Sequence, residues 1–144
     1  MIKSTKHSHT KGRVVVFGVF DGIHDGHRDF FRQARAYGEE LVVIVGRDST
    51  ALQLKKKKPK YLQEERLSMV VNEPSVDRVV LGDRKLSTYR ILQELNPSVI
   101  CLGYDQQNLK QDLEQRLWKE KKRDIRFVML KPYHQEIFHN SFLA

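Results

Sequence analysis

A single cysteine, Cys101, is all the thiol this 144-residue chain carries. That excludes a disulfide framework and a thiolate zinc site. No apolar run approaches the roughly 20 residues that span a bilayer. The opening segment MIKSTKHSHTKGR also lacks the apolar stretch of a signal peptide. A cytoplasmic protein with no membrane partner is expected. No motif recurs along the chain, so a repeat architecture is excluded, and no composition shift marks a second domain. The basic runs KKKKPK (55–60) and KEKKR (119–123) contain no interleaved aromatics. They lack the stacking platform of a single-strand nucleic-acid binder, and nucleic acid is not the expected partner.

What is present is an apolar content of 40% with 31% charged residues, the balance of a globular chain. The net charge of +8 favours anionic partners, phosphorylated small molecules among them. Residues 1–12 read as a flexible basic leader and 13–144 as a single domain. Within it, short β-branched runs alternate with helical periodicity. RVVVFGVF (13–20), ELVVIVG (40–46), VDRVVLG (76–82), SVICLG (98–103) and DIRFVML (124–130) read as strands. Helices are expected over 27–38, 62–72, 87–96 and 108–123. Asn96-Pro97 closes the third of these, because a residue before proline avoids helical torsions.

Five strands separated by four helices imply right-handed parallel crossovers. The fold class is therefore α/β: a Rossmann-like, doubly wound, five-stranded parallel sheet with helices on both faces. In such a sheet ligands sit beyond the carboxyl ends of the strands, where the strand order reverses. Loops 18–27, 46–61, 82–87 and 103–107, with whatever follows the fifth strand, are the places to look.

The first of these is GVFDGIHDGH (18–27), which places His24 and His27 at the mouth of a helix. With Asp25 or Gly26 as N-cap, His27 falls in the first turn and His24 just before it. A helix start attracts phosphate, and imidazoles add directional donors there. Gly18, Gly22 and Gly26 would let the backbone approach an anion closely. The spacing alone also accommodates a metal site with Asp21 or Asp25, or plain surface residues. In the same way LKKKKPK reads by itself as a solvated loop, and CLGYDQ as strand, glycine turn and helix cap.

The stretch in its strand-to-helix context resembles the nucleotidylyltransferases marked by G-x-F-D-x-x-H-x-G-H, in their cytidylyltransferase-like branch. Gly18, Phe20, Asp21, His24, Gly26 and His27 match that motif, and Val19 stands where the family usually has a hydroxyl. The resemblance spans residues 13–131. It implies that His24 and His27 contact the phosphates of a nucleoside triphosphate while an acceptor phosphate attacks the α-phosphorus. It also implies that Lys57 and Arg66 are catalytic, and that Lys55, and Arg66 from the start of the helix over 62–72, reach the phosphates. Gly18, Val19, Phe20, Asp21 and Gly26 would bind nucleotide in the first loop, as Gly103, Tyr104 and Asp105 would at the base and ribose. Asn140 and Ser141 stand near the family's serine/threonine-rich phosphate motif, with fewer hydroxyls and no following helix; His134 and His139 read as surface residues.

The implied cofactor is Mg2+, held by the phosphates with no direct protein ligand. LGYDQ is similar to the branch that contains archaeal-type FAD synthases, so the expected substrates are ATP and FMN. CTP with glycerol 3-phosphate or a similar phospho-alcohol is the alternative, and a non-catalytic nucleotide-binding module a further one. The sequence is silent on oligomeric state; a homodimer is implied only because relatives commonly form dimers.

Overall fold

The computed structural model describes residues 12–121 and 124–133. The expected leader and the positions Asn140, Ser141, His134 and His139 lie outside the described residues, apart from Gly12.

The strands are β1 (Arg13–Gly18), β2 (Glu40–Val45), β3 (Arg78–Leu81), β4 (Val99–Leu102) and β5 (Arg126–Met129). All pair in parallel, in the order β3-β2-β1-β4-β5. The helices are α1 (Asp25–Arg35), α2 (Asp48–Lys55), α3 (Gln63–Val71), α4 (Ile91–Leu95) and α5 (Gln107–Lys119).

Strand side chains alternate between the two faces of the sheet. On one face Val14, Val16, Leu41, Val43 and Val45 pack with Phe31 and Ala34 of α1 and Val70 of α3. On the other, Val15, Val42, Ile44, Ile100 and Leu102 pack with Leu92 and Leu95 of α4 and Leu113 and Leu117 of α5. Both faces being covered explains why the strands read as continuous apolar runs.

Three expectations are corrected. Residues 46–61, read as a loop, contain the helix α2, which ends at Lys56 in a left-handed conformation. Its low amphipathicity left no periodic signal, since Ala51 is its one buried residue. The helix expected over 87–96 is only Ile91–Leu95. Ser87 and Tyr89 adopt positive φ, and their hydroxyls both donate to Asp112 of α5, which fixes the segment as a turn. Asp83 then takes the place of an N-cap, accepting from the backbone N–H groups of Arg90 and Ile91. Finally α1 begins two residues earlier than expected, because a histidine caps it.

The strand order reverses between β1 and β4, which places the crevice over their carboxyl ends.

Candidate active site

β1 delivers the chain into the first loop at Gly18. Phe20 turns back there with φ 55° and becomes part of the buried core. A Cβ on Gly18 would lie 2.5 Å from the Phe20 ring, so only glycine permits the turn. The same holds at Gly26, where a Cβ would sit 2.9 Å from the His24 ring. At both positions the absent Cβ makes room for a side chain of the loop itself.

The two histidines interlock. His24 is the N-cap of α1, with its Nδ1 accepting from Gly26 N–H at 3.0 Å. His27 Nδ1 in turn accepts from His24 N–H at 3.2 Å. The rings stack with centroids 3.8 Å apart, and Phe20 supports His27 edge-on at 5.4 Å. An Nδ1 that accepts carries no proton, so each neutral ring holds its proton on Nε2. Burial pushes the His27 pKa down to about 4, helped by His24 and Arg28 and opposed by Asp105. The pair therefore presents neutral, preset N–H donors at a helix start. Asp25 and Gly26, expected as the cap, are the first two helical residues instead.

Asp21 fastens the next loop to the first by accepting from Lys60 N–H at 2.7 Å and Tyr61 N–H at 2.9 Å. Desolvation works against its charge, but these two donors, with Arg66 and Lys60, hold the carboxyl below its ordinary value. That leaves Lys55, Lys57 and Lys58 lining the cavity.

Arg66 is where the structure departs furthest from expectation. Its side chain is 0% exposed and does not line the cavity. Nε donates to the Tyr61 carbonyl at 3.0 Å, Nη1 to those of Val19 at 2.9 Å and Gly46 at 2.7 Å, and Nη2 to Asp48 at 2.6 Å. The expected phosphate contact is corrected to a buried clamp. A planar fork with several donors suits four acceptors in a way no other side chain does.

The cavity encloses about 1010 Å³, at the upper end for small-molecule sites. Gly18, Val19, Phe20, Asp21, His24, Gly26, His27, Lys55, Lys57, Gly103, Tyr104 and Asp105, all singled out in the sequence, line it together. Phe17, Phe30, Lys58, Gln106 and the segment Lys131–Tyr133 were not singled out as site residues. The strand-end rule points to the last of these, and Gln33 of α1 pins it: Gln33 donates to the Lys131 carbonyl at 2.9 Å and accepts from Lys131 N–H at 3.0 Å. Among the described residues no three His, Cys, Asp or Glu side chains converge as a metal site.

Two predictions follow from this geometry. Arg66→Ala should cost about 3 kcal/mol, the low end for breaking a buried ion pair, because Asp48 is partly exposed. Arg66→Lys should recover little of it, since one ammonium cannot reach all four acceptors; urea unfolding of both variants checks this. Wild-type stability with lost nucleotide binding would return Arg66 to the phosphates.

The second prediction concerns pH. Because the folded His27 pKa lies near 4, below its ordinary 6.5, its contribution is fully present above pH 6.5 and is lost as pH falls toward 4. His27→Gln keeps an acceptor for His24 N–H without titrating. Its unfolding midpoint should drop less than the wild type's between pH 7 and 4.5, and an equal drop would contradict the assignment.

Comparison with known proteins agrees with this geometry. A FAD synthase from Aciduliprofundum boonei is 42% identical over 121 residues, covering 84% of this chain and 79% of that protein. A FAD synthase from Methanosarcina acetivorans is 44% identical over 107 residues, covering 74% and 69%. A solved structure described as the lipopolysaccharide core biosynthesis protein from Thermoplasma volcanium superposes with a TM-score of 0.75 at 33% identity, covering 84% of this chain and 97% of that one. The pantoate-beta-alanine ligase of Francisella tularensis, 13% identical with a TM-score of 0.59 over 83% of this chain and 59% of that one, shares the fold alone. The family model for cytidylyltransferase-like proteins matches residues 15–141, most of the chain, and the chain belongs to the cytidylyltransferase-like family.

Proposed function

We propose that this chain is an FAD synthase, transferring the adenylyl group of ATP to the phosphate of FMN. The observation that carries the reaction type is the interlocked histidine pair, two neutral imidazoles preset as donors over the cavity. The acceptor and base rest on the 42–44% identity to FAD synthases over most of the chain.

In this reading an FMN phosphate oxygen attacks the α-phosphorus of ATP. A new P–O bond forms as the α–β bridging bond breaks, and its electron pair leaves with pyrophosphate. No covalent intermediate is needed, so catalysis is positioning and charge stabilisation. His24 and His27 donate from Nε2 to the reacting phosphate oxygens, aided by the start of α1. Their neutrality matters: a protonated His27 could no longer accept from His24 N–H, and the pair would come apart. Lys55, Lys57 and Lys58 supply the permanent positive charge against the triphosphate. The loop from Gly103 to Asp105 faces the nucleoside.

A divalent ion brought in by the nucleotide would meet two carboxylates among the described residues of the cavity wall, Asp21 and Asp105, of which Asp21 already accepts from two backbone donors. Mg2+ held by the phosphate oxygens would neutralise charge on the departing pyrophosphate.

Incubation with ATP and FMN should yield FAD and pyrophosphate in equal amounts. His24→Ala and His27→Ala should each lower kcat by roughly 10²–10³, as for loss of one preorganised donor. Each also removes a capping contact worth about 0.5–2 kcal/mol, so assays belong well below the melting temperature. Turnover of CTP with glycerol 3-phosphate and no FAD would overturn the substrate assignment. Nucleotide binding without pyrophosphate release would overturn catalysis itself.

A further inference from the structure

Neighbouring strands in this sheet stay zipped to their carboxyl ends at three of the four seams. Gly46 N–H reaches the Gly18 carbonyl, Gly82 N–H the Val45 carbonyl and Leu130 N–H the Leu102 carbonyl, at 2.9, 2.9 and 2.7 Å. The fourth seam, β1 against β4, does not. Its pairing stops at Val15↔Ile100, although both strands continue, to Gly18 and Leu102. This is the seam where the strand order reverses, and the parted ends form the floor of the cavity.

One side chain bridges the gap. Gln106 Nε2 donates to the Phe17 carbonyl of β1 at 3.0 Å, and Gln106 Oε1 accepts from Gly103 N–H at the end of β4 at 2.9 Å. Counting on from Val15↔Ile100, Phe17 stands level with Leu102, so the carboxamide occupies the place of the missing rung. A primary amide is suited to this because it offers a donor and an acceptor on one rigid plane, as a peptide group does. Both of its ends are fixed, and Gly103, Phe17 and Gln106 all line the cavity.

We infer that Gln106 is a positioning residue that sets the width of the crevice and thereby nucleotide selectivity. It acts through the Gly103–Asp105 loop, and the assignment rests on the reading of this cavity as a nucleotide site. Without the bridge, the pairing of β1 with β4 ends at Val15↔Ile100, and the loop loses its reference to the phosphate-side elements. Nucleoside contacts made by that loop shift, whereas the histidine pair on α1 keeps its own interlock. The defect is therefore specific to the nucleoside end.

Gln106→Leu removes both hydrogen bonds at similar size. Gln106→Glu keeps an acceptor for Gly103 N–H but opposes a carboxylate to the Phe17 carbonyl. Either variant should raise the KM for ATP at least tenfold, the scale of a small misplacement in a preorganised site. The KM for FMN and the kcat should stay within about threefold, because the histidine donors are untouched. Calorimetric titration with non-hydrolysable ATP and CTP analogues should show the wild type's preference between them narrowed at least fivefold. A lower melting temperature with unchanged ATP affinity and unchanged preference would reduce Gln106 to a structural residue and overturn the inference. Should Gln106→Leu fail to fold, Gln106→Glu decides by the same readings. Wild-type protein that binds the analogues but makes no FAD would sink the FAD synthase reading alone, since the titration still tests Gln106.

Discussion

The guanidinium of Arg66 holds the loops behind the site together. Four acceptors from three stretches of chain meet on it: the loop after β1, the junction Gly46–Asp48 between β2 and α2, and the approach to α3. None of these segments pairs with the others at that point through the sheet, apart from Gly46 on Gly18. A buried cation is tolerable only when its donors are satisfied, and here carbonyl dipoles and one carboxylate do so. The consequence is that Val19 and Gly46 are tied to α3, and Asp21 can reach across to Lys60 and Tyr61. The lysine-rich segment is thus anchored at its far end while α2 anchors its beginning.

The site divides charge by role. Permanent cations sit on the lysine segment, whereas the groups nearest the start of α1 are neutral imidazoles in a fixed tautomer. A charged lysine in their place would have several rotatable bonds to order; an imidazole whose Nδ1 is already committed has one N–H in one direction. Preorganised donors of this kind contribute to rate because they need no rearrangement as charge moves in the proposed transfer. The net charge of +8 favours an anionic ligand, and Lys55, Lys57 and Lys58 carry part of that charge to the cavity wall.

Much of this was legible in the sequence, and what was missed has physical causes. The five apolar runs, bounded by glycine and charged residues, announced the strands because both sheet faces are covered. The HxGH spacing identified the helix mouth, though not that His24 itself is the cap, since histidine is outside the usual capping set. α2 escaped because a helix with a single buried residue has no periodic stripe. Residues 87–90 were mistaken for helix because the left-handed residues there, Ser87 and Tyr89, are not glycine, and their hydroxyl partner Asp112 is distant in sequence. Arg66 was placed at the right helix start but given a different partner from the one it has: a resemblance can locate an arginine, while its burial depends on four carbonyl and carboxylate oxygens that only the fold assembles. Gln106 and Gln33 went unnoticed because a glutamine that mimics a backbone rung leaves no local pattern.

The most direct test of the account is a crystal structure with a non-hydrolysable ATP analogue and FMN bound together. Nε2 of His24 and His27 should lie within about 3.2 Å of phosphate oxygens, the upper limit of an ordinary hydrogen bond. Arg66 should still be buried on Val19, Gly46, Tyr61 and Asp48, with the FMN phosphate facing the α-phosphorus. Phosphates seated away from the histidines, or an Arg66 that has left its carbonyls to meet them, would contradict the account.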